Sequence, residues 1–73
     1  MEISKENAVI YIRSDIDVLS EQSEATEISA YVHRIRAGTG LLMTLGVLSI
    51  EEASALEDEM AKARKAAAAR VSQ

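Results

Sequence analysis

His33 is the only imidazole in the chain and the first candidate for acid–base chemistry. A catalytic histidine needs a nucleophile or a carboxylate held beside it. Neither Glu27 nor the Arg34/Arg36 pair stands at a spacing typical of such a partner, and no Glu-x-x-His pair indicates a carboxylate-bridged metal site. We therefore interpret His33 as a partly exposed helix residue, and we predict no catalytic residue and no enzyme activity.

Clustered carboxylates are the second candidate, because paired acids can bind Ca²⁺ or Mg²⁺. The clusters are Asp15 with Asp17, Glu51 with Glu52, and residues 57–59. None of them belongs to a calcium loop with a central glycine. They fall at predicted helix starts or on polar helix faces, so we interpret them as solvated side chains and predict no metal and no cofactor.

The segment Gly38-Thr39-Gly40 could suggest a phosphate-binding loop. It lacks the later glycine, or the Lys-Ser/Thr pair, that nucleotide-binding loops need, and it follows helical rather than strand-like sequence. A glycine that allows close helix packing is the better interpretation.

Four cationic side chains in the first half are candidate contacts for an anion or a partner: Arg13, His33, Arg34 and Arg36. Neither Arg34 nor Arg36 has an acid three or four residues earlier with which to pair on its own helix. In a dimer, arginines from two chains could converge on an anion or on an acidic partner. The alternative is that these arginines are simply solvated.

The carboxyl third predicts a helix over about 49–70 after a well-marked turn. Gly46 can supply the left-handed residue that ends the preceding helix. Ser49 and Glu52 form a capping box in which each side chain accepts a hydrogen bond from the other's backbone amide. An apolar stripe at helical spacing follows the turn, and the end of the helix, 68–73, is expected to fray. The stripe comprises Ile50, Ala53, Leu56, Met60, Ala63 and Ala67.

The middle segment predicts a helix over about 23–46. Its apolar stripe comprises Ile28, Tyr31, Ile35, Leu42 and Leu45. Gly38 falls on the same stripe, although a glycine inside a helix costs about 1 kcal/mol relative to alanine. This position predicts close contact with another helix, and the alternative is a kink or break at 38–40.

The amino third admits two interpretations. Helical spacing of Val9, Ile12, Ile16 and Leu19 predicts a helix over about 4–20. The β-branched and aromatic residues of 8–13 alternatively favour a strand. The helix is the preferred interpretation.

Length and charge restrict the functional classes. A single domain over 1–73 buries too little surface to be more than marginally stable, and no cysteine is present to form disulfides. We therefore expect a homodimer or another protein partner to complete the burial. The net charge of −4 argues against nucleic-acid binding and against anionic membranes. No run of about 20 apolar residues predicts a membrane span, and the polar residues 1–7 do not resemble a signal peptide, so we expect a cytoplasmic protein.

Together these patterns predict an all-α protein, a helical hairpin or three-helix module that completes a bundle by dimerising. The predicted function is a small protein–protein interaction or regulatory role, as an adaptor, inhibitor or accessory factor. The alternative fold is ribbon-helix-helix with a strand at 8–13, which would make the protein a dimeric DNA-binding regulator.

Overall fold

A computed structural model describes residues 4–71, which form three helices: α1 (Lys5–Ser20), α2 (Ala25–Thr44) and α3 (Ile50–Val71). The predicted all-α three-helix module is thereby confirmed. No strand occurs between residues 4 and 71, so the strand alternative at 8–13 is wrong, and the ribbon-helix-helix fold is excluded with it. Of the segment 68–73 that is expected to fray, residues 68–71 lie in α3, and 72–73 lie outside the described residues.

The amino third is helical because burial at helical spacing outweighs local strand propensity. Ile12, Ile16 and Leu19 lie on one face of α1 and are at most 6% exposed. Ser4 begins the helix, since its hydroxyl accepts a hydrogen bond from the Asn7 amide at 3.1 Å. Val9, Ile10 and Ile12, the branched residues that favour a strand, therefore lie in a helix that packs against the core.

The helices run up, down and up in a bundle of 42 × 23 × 16 Å, and each helix contacts the other two. One hydrophobic core fills the space between them. Its buried apolar members are Ala8, Ile12, Ile16, Leu19, Ile28, Val32, Ile35, Leu42, Leu48, Ala53, Leu56, Met60, Ala63 and Ala67. The narrow stripes predicted for the three helices therefore converge within one chain.

Two residues of the predicted stripes lie outside this core. Leu45 is 59% exposed and Ile50 is 77% exposed, so assigning them to helix packing within the chain is wrong. At about 100° per residue, both side chains lie roughly 100° around their helices from the centre of the buried face, so the predicted stripes were drawn too wide. Tyr31 is half-buried and packs against the edge of the core.

Gly38 lies inside α2, which runs unbroken through 38–40, so the alternative of a break there is wrong. A methyl group added at Gly38 would stand 3.0 Å from Cδ1 of Ile12. The glycine therefore allows α1 and α2 to approach closely. At Gly40 an added methyl group would meet no atom within 4 Å.

The turn between α2 and α3 begins with a Schellman motif. Gly46 has φ of +77°, a conformation that glycine adopts without steric cost. Its amide donates to the Met43 carbonyl at 3.1 Å, and the Val47 amide donates to the Leu42 carbonyl at 2.9 Å. Both bonds satisfy carbonyl groups that the end of α2 would otherwise leave unpaired.

The turn ends in the capping box that starts α3. The Ser49 amide donates to Oε1 of Glu52 at 2.9 Å, and the Glu52 amide donates to the Ser49 hydroxyl at 3.1 Å. Between the two motifs Leu48 is only 3% exposed and ties the turn to the core. The direction in which α3 leaves the turn is therefore set by local contacts.

Candidate functional site

Arg13, one of the four predicted anion contacts, is engaged within the chain. Its Nε and Nη2 donate to Oε1 and Oε2 of Glu59 at 3.1 and 3.0 Å, so one edge of the guanidinium group binds both carboxylate oxygens. The hydrogen bonds and the charge of Glu59 raise the pKa of Arg13. Arg13 thus joins α1 to α3 rather than pointing to an open anion site.

Arg34 is engaged in the same way between α2 and α1. Its Nη2 donates to the Tyr11 hydroxyl at 2.9 Å, and its Nε donates to Oδ2 of Asp15 at 3.0 Å. The guanidinium carbon also lies 5.8 Å from the centroid of the Tyr11 ring. The hydrogen bonds to Tyr11 and Asp15, together with the Asp15 charge, raise the pKa of Arg34.

Asp15 was predicted to be a solvated carboxylate, and this is wrong, because the residue is only 8% exposed. It follows Ile12 by three residues and precedes Ile16 by one, which places it on the buried face of α1. That spacing was the available signal that Asp15 is buried. Its partner, Arg34, lies 19 residues away and could not be recognised from local sequence.

Glu52 does more than cap α3. Besides its two contacts with Ser49, its Oε1 forms an ion pair with Nζ of Lys5 at 3.1 Å. The hydrogen bond from the Ser49 amide, with that from Lys5, lowers the pKa of Glu52. The carboxylate therefore ties the start of α1 to the start of α3.

His33 and Arg36, the other two predicted anion contacts, lie together in an open groove between α2 and α3 with a cavity volume of about 500 Å³. Arg64 of α3 joins them there. None of the three forms a side-chain hydrogen bond or an ion pair with any residue of 4–71. The groove is completed by Ala25, Ile28, Ser29, Val32, Ala68 and Val71. We call it the cationic groove.

The four cationic residues that were predicted together as anion contacts therefore lie in two separate places in the fold. Arg13 and Arg34 sit at the seams beside α1, whereas His33 and Arg36 face the groove. Arg64 was missed as a member of this site, because only the packing of α3 against α2 brings it next to Arg36.

A second surface surrounds the turn. Four large apolar side chains within ten residues are strongly exposed, namely Leu41 at 59%, Met43 at 40%, Leu45 at 59% and Ile50 at 77%. Other exposed large apolar side chains, Ile10, Tyr11 and Val71, are spread over α1 and the far end of α3. We call residues 41, 43, 45 and 50 the turn surface.

Across residues 4–71, no cluster of three or more His, Asp and Glu side chains could hold a metal ion. Gly38 and Gly40 lie inside a helix rather than in a loop that could wrap a phosphate. None of α1, α2 and α3 is long and apolar enough to cross a membrane.

The fold and its two surfaces define an all-α three-helix bundle with a cationic groove and an apolar turn. The chain matches no protein-family model, and no curated protein or solved structure matches it significantly.

Proposed function

We propose that this protein is a small helical interaction protein that forms a homodimer through the turn surface and regulates a protein partner. The observation that carries the proposal is the exposure of Leu41, Met43, Leu45 and Ile50 at one end of the bundle. Clustered exposed apolar side chains are typical of protein-binding surfaces. The cytoplasm is the proposed compartment, because a small chain without cysteine has none of the disulfides common in secreted domains of this size.

The expected dimer is weak. Fully burying one Leu, Ile or Met side chain contributes about 1.5–3 kcal/mol, and these side chains are already partly covered. Leu41 and Met43 lie about 200° apart around α2, so a symmetric dimer would bury about three of the four side chains, twice each. The total is on the order of 10 kcal/mol, and association itself costs about 4–15 kcal/mol. The difference is at most about 6 kcal/mol, so we expect a dissociation constant of tens of micromolar or higher.

Sedimentation velocity across a concentration series from about 10 micromolar to about 1 millimolar tests this proposal. We expect a monomer–dimer equilibrium in the wild type and a monomer in the double variant Leu45→Glu/Ile50→Glu. Both residues are exposed, so the helical circular dichroism should not change. Val71→Glu is the matched control for the single substitution Ile50→Glu, because each places one negative charge on an exposed apolar residue at one end of α3, and Val71→Glu should still dimerise.

Two results would contradict the proposal. The first is a wild type that stays monomeric throughout the series. The second is equal loss of dimer in Val71→Glu and in Ile50→Glu, because that would indicate a general effect of charge. Substituting the core gives a different signature: Leu42→Asp and Leu56→Asp, at 8% and 2% exposed positions, should weaken folding and association together.

A further inference from the structure

We propose that the cationic groove binds an acidic amphipathic helix of a protein partner. The proposal rests on the proposed function in that it names the chemistry of the partner. The cationic groove is separate from the turn surface, so the proposal of helix binding and the proposal of dimerisation can fail independently.

Charge is the first argument. The chain carries a net charge of −4, yet one side of the α2–α3 seam places His33, Arg36 and Arg64 around a single groove. Elsewhere Arg13 and Arg34 are matched by carboxylates of their own chain. The groove cations have no such match within 4–71, so a ligand that carries carboxylates is complementary to them.

The distribution of contacts between helices supports this argument. Within 4–71, the side-chain hydrogen bonds and ion pairs that join two helices all involve α1. The α2–α3 seam is held by apolar packing. Its cations therefore do not contribute to holding the bundle together through ion pairs, and they can bind a ligand without breaking an internal contact.

The shape of the groove selects a helix as the occupant. From Ala25 to Arg36, α2 advances about 16 Å, which corresponds to three helical turns of a docked segment. Ile28 and Val32 are 7% and 6% exposed and form an apolar floor. Ala25 and Ser29 are small and permit close approach of another backbone. Apolar residues three and four apart on the partner would contact this floor.

The positions of charged and apolar residues along the groove also predict where the partner helix carries charged and apolar side chains. Arg36 and Arg64 lie toward one end, and Ala25 and Val71 lie at the other. Carboxylates should therefore concentrate at one end of the docked helix, next to the two guanidinium groups. The remaining turns should present only apolar side chains to the groove.

Synthetic peptides of about four helical turns test the proposal, titrated into the full chain by calorimetry and by ¹⁵N NMR. One peptide is amphipathic, with leucines at helical spacing and glutamates flanking them at one end. The second replaces its glutamates by glutamines. The third has the composition of the first in a scrambled order that removes the apolar stripe. We expect the first to bind with micromolar affinity and to shift the amide resonances of Ser29, His33 and Ala68, and the other two to bind roughly tenfold more weakly.

Charge-matched variants separate the groove from the overall charge. Arg36→Glu/Arg64→Glu reverses the two groove arginines, and we expect it to weaken binding of the acidic peptide roughly tenfold or more. Lys62→Glu/Lys65→Glu changes the net charge by the same amount at exposed residues of α3 outside the groove, and it should bind nearly as the wild type does. The monomeric variant Leu45→Glu/Ile50→Glu should also bind, which keeps this test independent of dimerisation.

The proposal is overturned if the amphipathic peptide does not bind, or if it and the scrambled peptide bind equally well. It is also overturned if the two charge-reversed variants lose binding to the same degree, since the protein would then be attracting any polyanion. A short-chain alkyl carboxylate that binds the groove when the peptide does not would identify a small amphiphile instead of a helix.

Discussion

Gly38 and Gly40 are two residues apart in α2 but have opposite surroundings, and replacing each by alanine should give different results. At Gly40 the new methyl group meets no atom within 4 Å. Only the helical preference of alanine then acts, so we expect Gly40→Ala to raise the free energy of unfolding by about 1 kcal/mol. In a domain of this size that corresponds to a rise of about 4–8 °C in Tm.

At Gly38 the gain in helix propensity is opposed by a close contact in the core. The new methyl group would stand 3.0 Å from Cδ1 of Ile12, a side chain that is 1% exposed and has little room to move. Overfilling a packed core costs about 1–3 kcal/mol. We therefore expect Gly38→Ala to lie between no change and a loss of about 2 kcal/mol.

Ile12→Val isolates the cause, because it removes the Cδ1 atom that the new methyl group would meet. Alone it should cost about 0.5–1.5 kcal/mol. In that background Gly38→Ala should become stabilising, by about the gain expected at Gly40. Urea unfolding followed by far-UV circular dichroism measures all four variants at a common m-value. If Gly38→Ala stabilises the wild-type background as much as Gly40→Ala does, the close approach of α1 and α2 is refuted.

Three further perturbations test single contacts. Thr39→Val should raise the free energy of unfolding by about 1 kcal/mol in thermal melts, because the Thr39 hydroxyl is buried without a hydrogen-bond partner in 4–71; a loss of stability would contradict this. Arg34→Leu should lower the free energy of unfolding, since it leaves the largely buried Asp15 carboxylate unpaired. The double variant Asp15→Leu/Arg34→Leu should lose less, and an equal or larger loss would show that the pair does not interact. The lowered pKa of Glu52 means that its contribution to stability is present above the ordinary glutamate pKa and is lost as pH falls through the folded-state value. Glu52→Gln should therefore flatten the acid side of the stability–pH curve measured by urea unfolding, and an unchanged curve would refute this.

Features that depend on neighbours in sequence could be predicted. Gly46, Ser49 and Glu52 specify the turn between α2 and α3 within seven residues, and the structure shows their hydrogen bonds as expected from local rules. Helical spacing likewise located the three helices. The strand alternative arose because branched residues in 8–13 have strand propensity, which the burial of one helical face outweighs.

Features that depend on tertiary contact could not be predicted. The burial of Asp15 makes sense only beside Arg34, which comes from the next helix. Leu45 was misassigned for a local reason instead, because it lies about 100° around α2 from the centre of the buried face. The cationic groove needs Arg64 next to Arg36, and no spacing rule connects residues on two different helices.

The contacts between α1 and α3 also determine how the two helices are aligned along their length. These parallel helices are joined near their starts by Lys5–Glu52, near the middle by Arg13–Glu59, and near their ends by Arg70, whose Nη1 donates to the Ser20 carbonyl at 2.6 Å. The second half of α3 packs through alanines, whose small side chains would fit a neighbouring helix almost equally well after a shift. A shift of one turn moves α1 by about 5.4 Å, which would break all three polar contacts at once. The polar pairs thus select one alignment among those that the apolar surfaces alone would tolerate.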